Sequence, residues 1–518
     1  MSGAGAIVHG RDLPGGFDEG ADAVVVGSGA GGAVAATLLA EAGWRVIVLE
    51  EGPYYRPEEI AAFKPSESMR RMWREAGMLA AFGVGRTPLI GVTVGRNVGG
   101  SSVHTGGVCF RVPSAVHAEW VRDLGLDELS ERAFEGAYLD VERRMRVDEV
   151  GALDRSLSTT KFVEGANKLG IAMRPTRRNT HACEGNGRCN FGCPKGAKMS
   201  VDLSYLPRAV ELGARIVSDA LVERVLVERG RAVGVEGTLL ARGGAGKAGR
   251  GRAAARFRVR APVVVAACGT LHTPLLLRAS GVRSPHLGRH ITLHPAVRVA
   301  ALFDDEVRGW DGALQSVYSD HYAGDGITLV GVYTAVNVLA AGLPGVGPSH
   351  RHWVRQMPRL GVFGAMVHDE GGGTVRPPLA GREGVLSYEM AARDLFRLRR
   401  AMTVLGEIAL AAGAKKVFLP VFGSEPAESL AELRALEASS LDPRRVECLA
   451  FHPLGSARMA NDPRRGVTAA DGSVYGLPGL YVADGSVLPT SIGVNSQEPI
   501  MAMATRIAGR LRERRPPA

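Results

Sequence analysis

Near the amino end, a short β-branched run is followed by an Ala/Leu-rich stretch and then by another such run. Asp22-Ala-Val-Val-Val26 has strand length, Ala33 to Ala42 has helical composition and is stopped by Gly43, and Arg45-Val-Ile-Val-Leu-Glu50 reads as a second buried strand. That order predicts a β-α-β unit. A hairpin-rich zone from Ala214 to Val235 precedes a further buried strand, Ala261-Pro-Val-Val-Val-Ala-Ala-Cys-Gly269. Residues 300 to 390 alternate apolar and polar with Gly/Pro punctuation, which predicts an antiparallel sheet separate from the first unit. Leu395, Leu398, Met402, Leu405 and Ile408 fall at helical spacing between Arg393 and Ala412, bounded by Gly413. The longest uncharged run, Ile327 to Ser349, contains Asn337, Pro344 and Pro348 and reads as buried strands and a loop, not a spanning helix.

The turn after the first strand is Gly27-Ser28-Gly29-Ala30-Gly31-Gly32. Glycines 27, 29 and 32 suit the tight turn, the close approach of a pyrophosphate and the helix–strand contact. The helix start then faces the phosphates with unpaired N–H groups and a positive dipole end. Glu50, closing the second strand, has the spacing of an acid that accepts bonds from ribose hydroxyls. The expected fold class is therefore α/β (α+β overall), a Rossmann-like dinucleotide-binding domain interleaved with an antiparallel-sheet substrate domain. The expected boundaries are 15–115, 195–298 and 445–518 for the first, and 116–194 and 299–444 for the second, which includes the Cys-rich loop 181–198.

A chain of 518 residues exceeds one compact core. Its 45% hydrophobic and 22% charged residues are ordinary for a globular protein. The net charge of +10 would permit nucleic-acid or anionic-membrane binding. Arg is scattered, however, and its clearest cluster, Arg242 to Arg260, sits in Gly/Ala-rich sequence with no aromatic-basic platform. No nucleic acid and no membrane contact are expected. The first residues lack a basic segment followed by an apolar one, so the expectation is a cytoplasmic protein.

Two further segments carry chemistry. Phe451-His452-Pro453-Leu454-Gly455-Ser456 is followed by Tyr481-Val-Ala-Asp484-Gly-Ser486 and by Gly493-Val494-Asn495. An imidazole is the side chain best poised to take a hydroxyl proton near neutral pH, and a carboxamide can orient the oxygen. Cys183, Cys189 and Cys193-Pro194 lie in a Gly/Asn-rich loop. Thiols so placed suit an iron–sulfur cluster; with His181 they also suit a Cys3His zinc site, and free thiols or a disulfide stay open.

In four separated blocks the chain resembles the glucose–methanol–choline (GMC) oxidoreductases, in a bacterial branch similar to long-chain alcohol oxidases, cholesterol oxidases and FAD-dependent glucose dehydrogenases. The blocks are the glycine fingerprint, Gly95-Arg96-Asn97-Val98-Gly99-Gly100-Ser101-Ser102, the segment Gly269 to Val282, and the His452/Asn495 tail; Arg283 stands where a Gly is usual. The resemblance implies FAD held by Gly27, Gly29, Gly32, Glu50, Arg96, Gly99, Gly100, Ser101, His104, Val222 and Asp484. It also implies oxidation of an alcohol by hydride transfer to flavin N5, with His452 as base and Asn495 on the substrate oxygen. The apolar 327–343 segment and Gly493-Val494-Asn495 favour an apolar primary or secondary alcohol. His104 stands where some members attach the flavin covalently, while Thr105 follows where Asn is commoner, so a bonded and an unbonded His104 both remain open. The cysteine spacing is similar to that of the 3Fe–4S site of FAD-dependent glucose dehydrogenases. That implies an alternative, a sugar or polyol dehydrogenase passing electrons through the cluster to an acceptor protein or small subunit. A flavin-containing lyase of the same fold is a third reading.

Overall fold

The computed structural model describes residues 5–241, 252–378 and 381–513. Its first layer is a six-stranded, all-parallel sheet in the order Ala6–His9, Arg215–Ser218, Val46–Leu49, Ala23–Val26, Val263–Ala266, Leu480–Val482. The β-α-β expectation holds in register, with Ala23 to Val26 paired against Val46 to Leu49 on one side and Val263 to Ala266 on the other. Both central strands are buried on both faces, which is why their sequences are continuous apolar runs without alternation.

The helix between them runs Ala30–Glu41 and starts earlier than its Ala-rich stretch suggests, because its first turn is made of glycines. Gly31 is there for close approach: a Cβ would lie 1.8 Å from the carbonyl oxygen of Ala483. This helix also packs against the carboxy-terminal helix Gln497–Glu513. Each fully buried Leu or Val in such an interface contributes about 1.5–3 kcal/mol. The hairpin-rich zone forms a four-stranded sheet of Ala220–Glu228, Arg231–Ala241, Arg252–Arg260 and Phe17–Gly20. Of the basic cluster, residues 242–251 lie outside the described residues; Arg256 and Arg258 are engaged by Glu223 and Glu236 at 2.7 and 3.2 Å.

The second large sheet has eleven strands. Its centre is antiparallel, with Ala296–Leu302 against Leu360–Val367 and that strand against Ile327–Gly331. It is not antiparallel throughout: Cys448–Ala450 runs parallel to Ile90–Val92, and Val385–Glu389 parallel to Ala80–Gly83. The helix expected over 393–412 is Ala392–Ala411, buried along one face against this sheet. The uncharged run differs from expectation. After the strand Ile327–Gly331 it forms the helices Val336–Gly342 and Pro348–Arg355. Leu339 and Leu343 drop into a small core with Tyr333, Met357 and Leu360, which a continued strand would not reach.

The cores also divide differently from the expected boundaries. Helices Ser114–Leu124 and Glu131–Met145, expected in the substrate unit, bury Val116, Trp120, Phe134, Tyr138 and Val141 in the nucleotide-side core. Strands Ala80–Gly83, Ile90–Val92 and Cys448–Ala450, expected in the nucleotide unit, are hydrogen-bonded into the second sheet. Among the described residues, no helix is long and apolar enough to cross a membrane.

Gly31→Ala places a methyl group where backbone oxygen already lies, so the Ala30–Glu41 helix must move off the 483–486 turn. We expect a loss of about 1–3 kcal/mol in denaturant unfolding, together with weakened retention of any dinucleotide. An unchanged unfolding midpoint would contradict the contact.

Candidate active site

One cavity of about 900 Å³ runs between the two cores. Gly27, Gly29, Gly31, Glu50, Gly100, Ser101, His104, Val222, Asp484, His452 and Asn495 all line it. The turn that opens it needs glycine at 27, where φ is +99° and a Cβ would sit 2.2 Å from Ala267 O. Gly29 is the N-cap of the Ala30–Glu41 helix, without a side-chain cap and without an acid in the first turn. Its N–H groups are therefore left for an anion. Gly32 does not line the cavity; a Cβ there would meet Gly27 O at 2.0 Å, so it tightens the turn from behind. The Glu50 carboxylate accepts from Ser28 N and Oγ at 3.0 and 2.8 Å and from Gly52 N at 2.8 Å, and burial raises its pKa. Val222 sits beside a bulge in its strand, between Val222 and Arg224.

Two expected cofactor residues stand behind the wall instead of in it. Arg96 is 3.9 Å from Glu51 Oε1, and Gly99, at φ +90°, donates its N–H to Ser28 Oγ at 3.1 Å. Asp484 is spent on the protein: its carboxylate takes Gly269 N, Thr273 Oγ1, Ser486 N and Ser486 Oγ. It thereby ties the 269–273 helix start to the 484–486 turn. Ser101 Oγ accepts from Gly95 N at 2.9 Å.

His104 is buried, and its Nε2 lies 2.6 Å from Asn97 Oδ1. Burial, and then the nearby Lys198 ammonium, hold its pKa well below the ordinary range. The ring is neutral, its Nε2–H donates to Asn97, and Nδ1 is the unprotonated nitrogen, with no partner in the protein. Lys198 donates to the carbonyls of Val103, Thr105 and Cys189 at 2.7–2.8 Å, and burial pushes its pKa down to about 8.

At the far side of the cradle, His452 Nε2 lies 3.3 Å from Asn495 Nδ2. The amide N–H donates, so Nε2 is an acceptor and the ring is neutral. Burial first, then the neighbouring His294, lowers the His452 pKa to about 3, with Asp369 acting in the opposite direction. Its Nδ1 and Asn495 Oδ1 are both withdrawn from solvent and unpartnered.

Sequence reasoning missed the residue that positions this pair. His294, fully buried at φ +49°, accepts the backbone N–H groups of Ile492 and Gly493 at its Nε2, both at 3.1 Å. Its ring meets that of His452 edge-on at 5.5 Å between centroids. Asp369 holds the same loop through Ser491 Oγ at 2.6 Å and the residue before His294 through Leu293 N at 2.8 Å. The partners are about two hundred residues apart, so no local spacing announces them. The same holds for Arg74, which lines the cavity and bridges Glu51 at 2.6 Å and Glu383 at 2.9 Å.

Of the alternatives open for the cysteine loop, the structure has the free thiols. Among the described residues, no three His, Cys, Asp or Glu side chains are placed to hold a metal ion, and all six cysteines are free. Cys189 is buried in the turn Cys189–Phe191 with Arg178 Nη2 at 3.1 Å from its Sγ, while Cys183 and Cys193 are half-exposed. The loop is folded around the Arg178 and Lys198 cations, not around converging thiolates. These residues do not fit a 3Fe–4S cluster or a Cys3His zinc.

An uncapped glycine-lined helix start and a buried acid after the second strand form a dinucleotide cradle, and a neutral His–Asn pair stands on the same cavity; the cradle fits a flavin dinucleotide. The chain belongs to the GMC oxidoreductase family, whose models match residues 21–296 and 383–504. It is 38% identical over 500 residues to the GMC-type oxidoreductase Rv0492c of Mycobacterium tuberculosis, covering 94% of this chain and 75% of that one. It is 29% identical over 529 residues to the long-chain-alcohol oxidase FAO1 of Arabidopsis thaliana, covering 95% and 66%. Among solved structures, pyridoxine 4-oxidase from Mesorbium loti superposes with a TM-score of 0.69 at 18% identity, over 94% of this chain and 98% of that one.

Removing the His294 acceptor leaves two buried N–H groups unpaired. His294→Ala should therefore loosen the 491–495 loop and cost about 2–4 kcal/mol in unfolding, with His294→Gln recovering part of it. Equal stability of the two variants and the parent would contradict the assignment. The same geometry sets a pH dependence. His294 and His452 are neutral when folded, with pKa values lowered to about 3, and titrate near the ordinary ~6.5 when unfolded. The unfolded chain then binds more protons, so this stability is present above about pH 6.5 and is lost as pH falls toward 3. Melting temperature should drop between pH 6.5 and 5 in the parent and less steeply in His294→Gln; parallel curves would refute it.

Proposed function

We propose that this protein oxidises a primary or secondary alcohol with an apolar body to the aldehyde or ketone, with FAD as bound oxidant and His452 as base. The observation that carries the reading is the 3.3 Å His452–Asn495 contact on the wall of the cavity that the glycine cradle opens. FAD in that cradle supplies the two-electron acceptor for the carbinol C–H bond. A hydroxyl oxygen between Asn495 and His452 would accept from the amide and present its proton to Nε2. The depressed pKa keeps Nε2 unprotonated, so the proton that arrives there is the substrate's. The Asp369 carboxylate favours the imidazolium once formed. The reading needs no covalent bond at His104 and no electron relay through the cysteine loop. Similarity to a long-chain-alcohol oxidase supports an apolar substrate, as do Leu449, Met366, Val330 and Val332 along the cavity.

The test is anaerobic flavin bleaching by a panel of alcohols, followed by mixing with O2 or an artificial dye to identify the acceptor. His452→Ala should keep the yellow cofactor and slow bleaching by at least ~10²-fold. Undiminished bleaching would remove His452 from the mechanism, and failure of every alcohol would favour a lyase.

A further inference from the structure

The cavity that His452 and Asn495 line is also lined by residues of the large sheet, and these are not all apolar. Strand alternation sorts its residues into rows. Ala296 pairs with Leu449 and with Met366, and these three side chains form the row beside the catalytic pair. Two residues further along the strand, about 7 Å away, stands Arg298, paired across the sheet with Gly364, which is followed by Val330. The intervening Val297 and Ala365 turn into the core behind the sheet.

Arg298 is not alone in its row. Its Nη2 lies 2.8 Å from Glu447 Oε1 and its Nη1 3.3 Å from Thr334 Oγ1, and Arg298, Thr334 and Glu447 all line the cavity. The Arg298 side chain is largely buried and that of Glu447 partly so, at 14% and 30% exposure. The helix Val336–Gly342 closes over them: a Cβ at Gly342 would come within 3.4 Å of Arg298 Nη2 and 3.6 Å of Glu447 Oε2. An ion pair walled into an apolar cavity is expensive unless its remaining hydrogen-bonding capacity is used. A guanidinium carries five N–H groups and a carboxylate about four acceptor positions; one contact to Glu447 and one to Thr334 leave both with capacity to spare.

The geometry points to a second recognition element: Arg298 and Glu447 together read a neutral polar group at the far end of the substrate, one that accepts from the guanidinium and donates to the carboxylate. A second hydroxyl or a primary amide has that chemistry. A carboxylate end group does not, because it would repel Glu447. The substrate class is thus a bifunctional alcohol, with an apolar segment of about one sheet row between the oxidised carbinol and the distal polar group. This deepens the alcohol-oxidising reading and rests on it for the reacting end only.

The test compares 1,6-hexanediol with 1-hexanol on the FAD-loaded protein, and follows binding of hexanamide, which has no carbinol to oxidise, through the change it causes in flavin absorbance. We expect kcat/KM for the diol to exceed that for 1-hexanol by about tenfold or more, the scale set by a buried polar site left unpaired. In Arg298→Met and in Glu447→Gln the ratio should fall toward unity while 1-hexanol turnover persists. Hexanamide should bind at least about fivefold more weakly in both variants. Retained flavin and an unchanged melting temperature show that each variant is folded. Equal use of diol and hexanol by the parent, or a ratio and a hexanamide affinity that neither variant alters, overturns the inference and leaves alcohol oxidation standing. If no alcohol bleaches the flavin yet hexanamide binding still depends on Arg298, the polar subsite stands and only the oxidation reading falls.

Discussion

Two backbone N–H groups, on Ile492 and Gly493, converge on a single imidazole nitrogen of His294, and the candidate site depends on that convergence. Asn495 belongs to the nucleotide-side segment before the last helix, whereas His294 stands just before the central strand of the other sheet. No sheet hydrogen bond joins the two segments there, so the position of Asn495 relative to His452 is set by side chains. His294 supplies one fastening and Asp369, through Ser491 Oγ, a second. Both are buried, and a buried bond broken on one side leaves the other group unpaired, which gives such fastenings more weight than their net worth suggests. The left-handed backbone at His294, φ +49°, is the strain this arrangement carries.

The cradle is built by a different economy, that of missing side chains. Gly27, Gly31 and Gly32 bring carbonyl oxygens of Ala267, Ala483 and Gly27 within what would be 2.2, 1.8 and 2.0 Å of a Cβ. These contacts join the first β-α turn to the 267–269 and 483–486 turns, and Asp484 knots the last two together by accepting from Gly269, Thr273 and Ser486. The cofactor end is thus held by backbone approach and the reacting end by side-chain fastening. A substitution in the first should act through sterics, and one in the second through lost hydrogen bonds.

This division explains what was legible in the sequence. Backbone approach leaves a local signature: the glycines, the strand run before them and Glu50 all lie within a single short unit, and the two strands of that unit pair as neighbours in the sheet. The His452 and Asn495 segments were legible because their neighbours resemble a family pattern. His294, Asp369, Arg74 and Glu383 were not, since each acts on partners that chain topology alone brings near. The helix Val336–Gly342 was misread because Ala, Val and Leu in an uncharged run suit strand and helix alike, and only the small core under Leu339 decides. Lys198 and Arg178 decide among the alternatives that the sequence left open for the cysteine loop. Three thiols at suggestive spacing lie where cations already organise the backbone, with Arg178 Nη2 on Cys189 Sγ and Lys198 Nζ on three carbonyls.

Burial of the His452 ring creates a tension that the site resolves by position. A pKa lowered to about 3 keeps the imidazole free of solvent protons but also makes it a reluctant base. Its neighbours are unequal in sign: His294 disfavours the cation, and the Asp369 carboxylate, although spent on Ser491, Tyr388 and Leu293, favours it. Because His294 donates nothing at Nε2 and accepts two N–H groups there, it stays neutral and adds no full positive charge when His452 takes a proton. The cost of forming the imidazolium is therefore mainly desolvation, and in the proposed reaction a substrate oxygen that became negative as it gave up its proton would offset that cost. On the proposed reading, a buried histidine of low intrinsic basicity would act as a base toward a hydroxyl held against it while remaining unprotonated toward water.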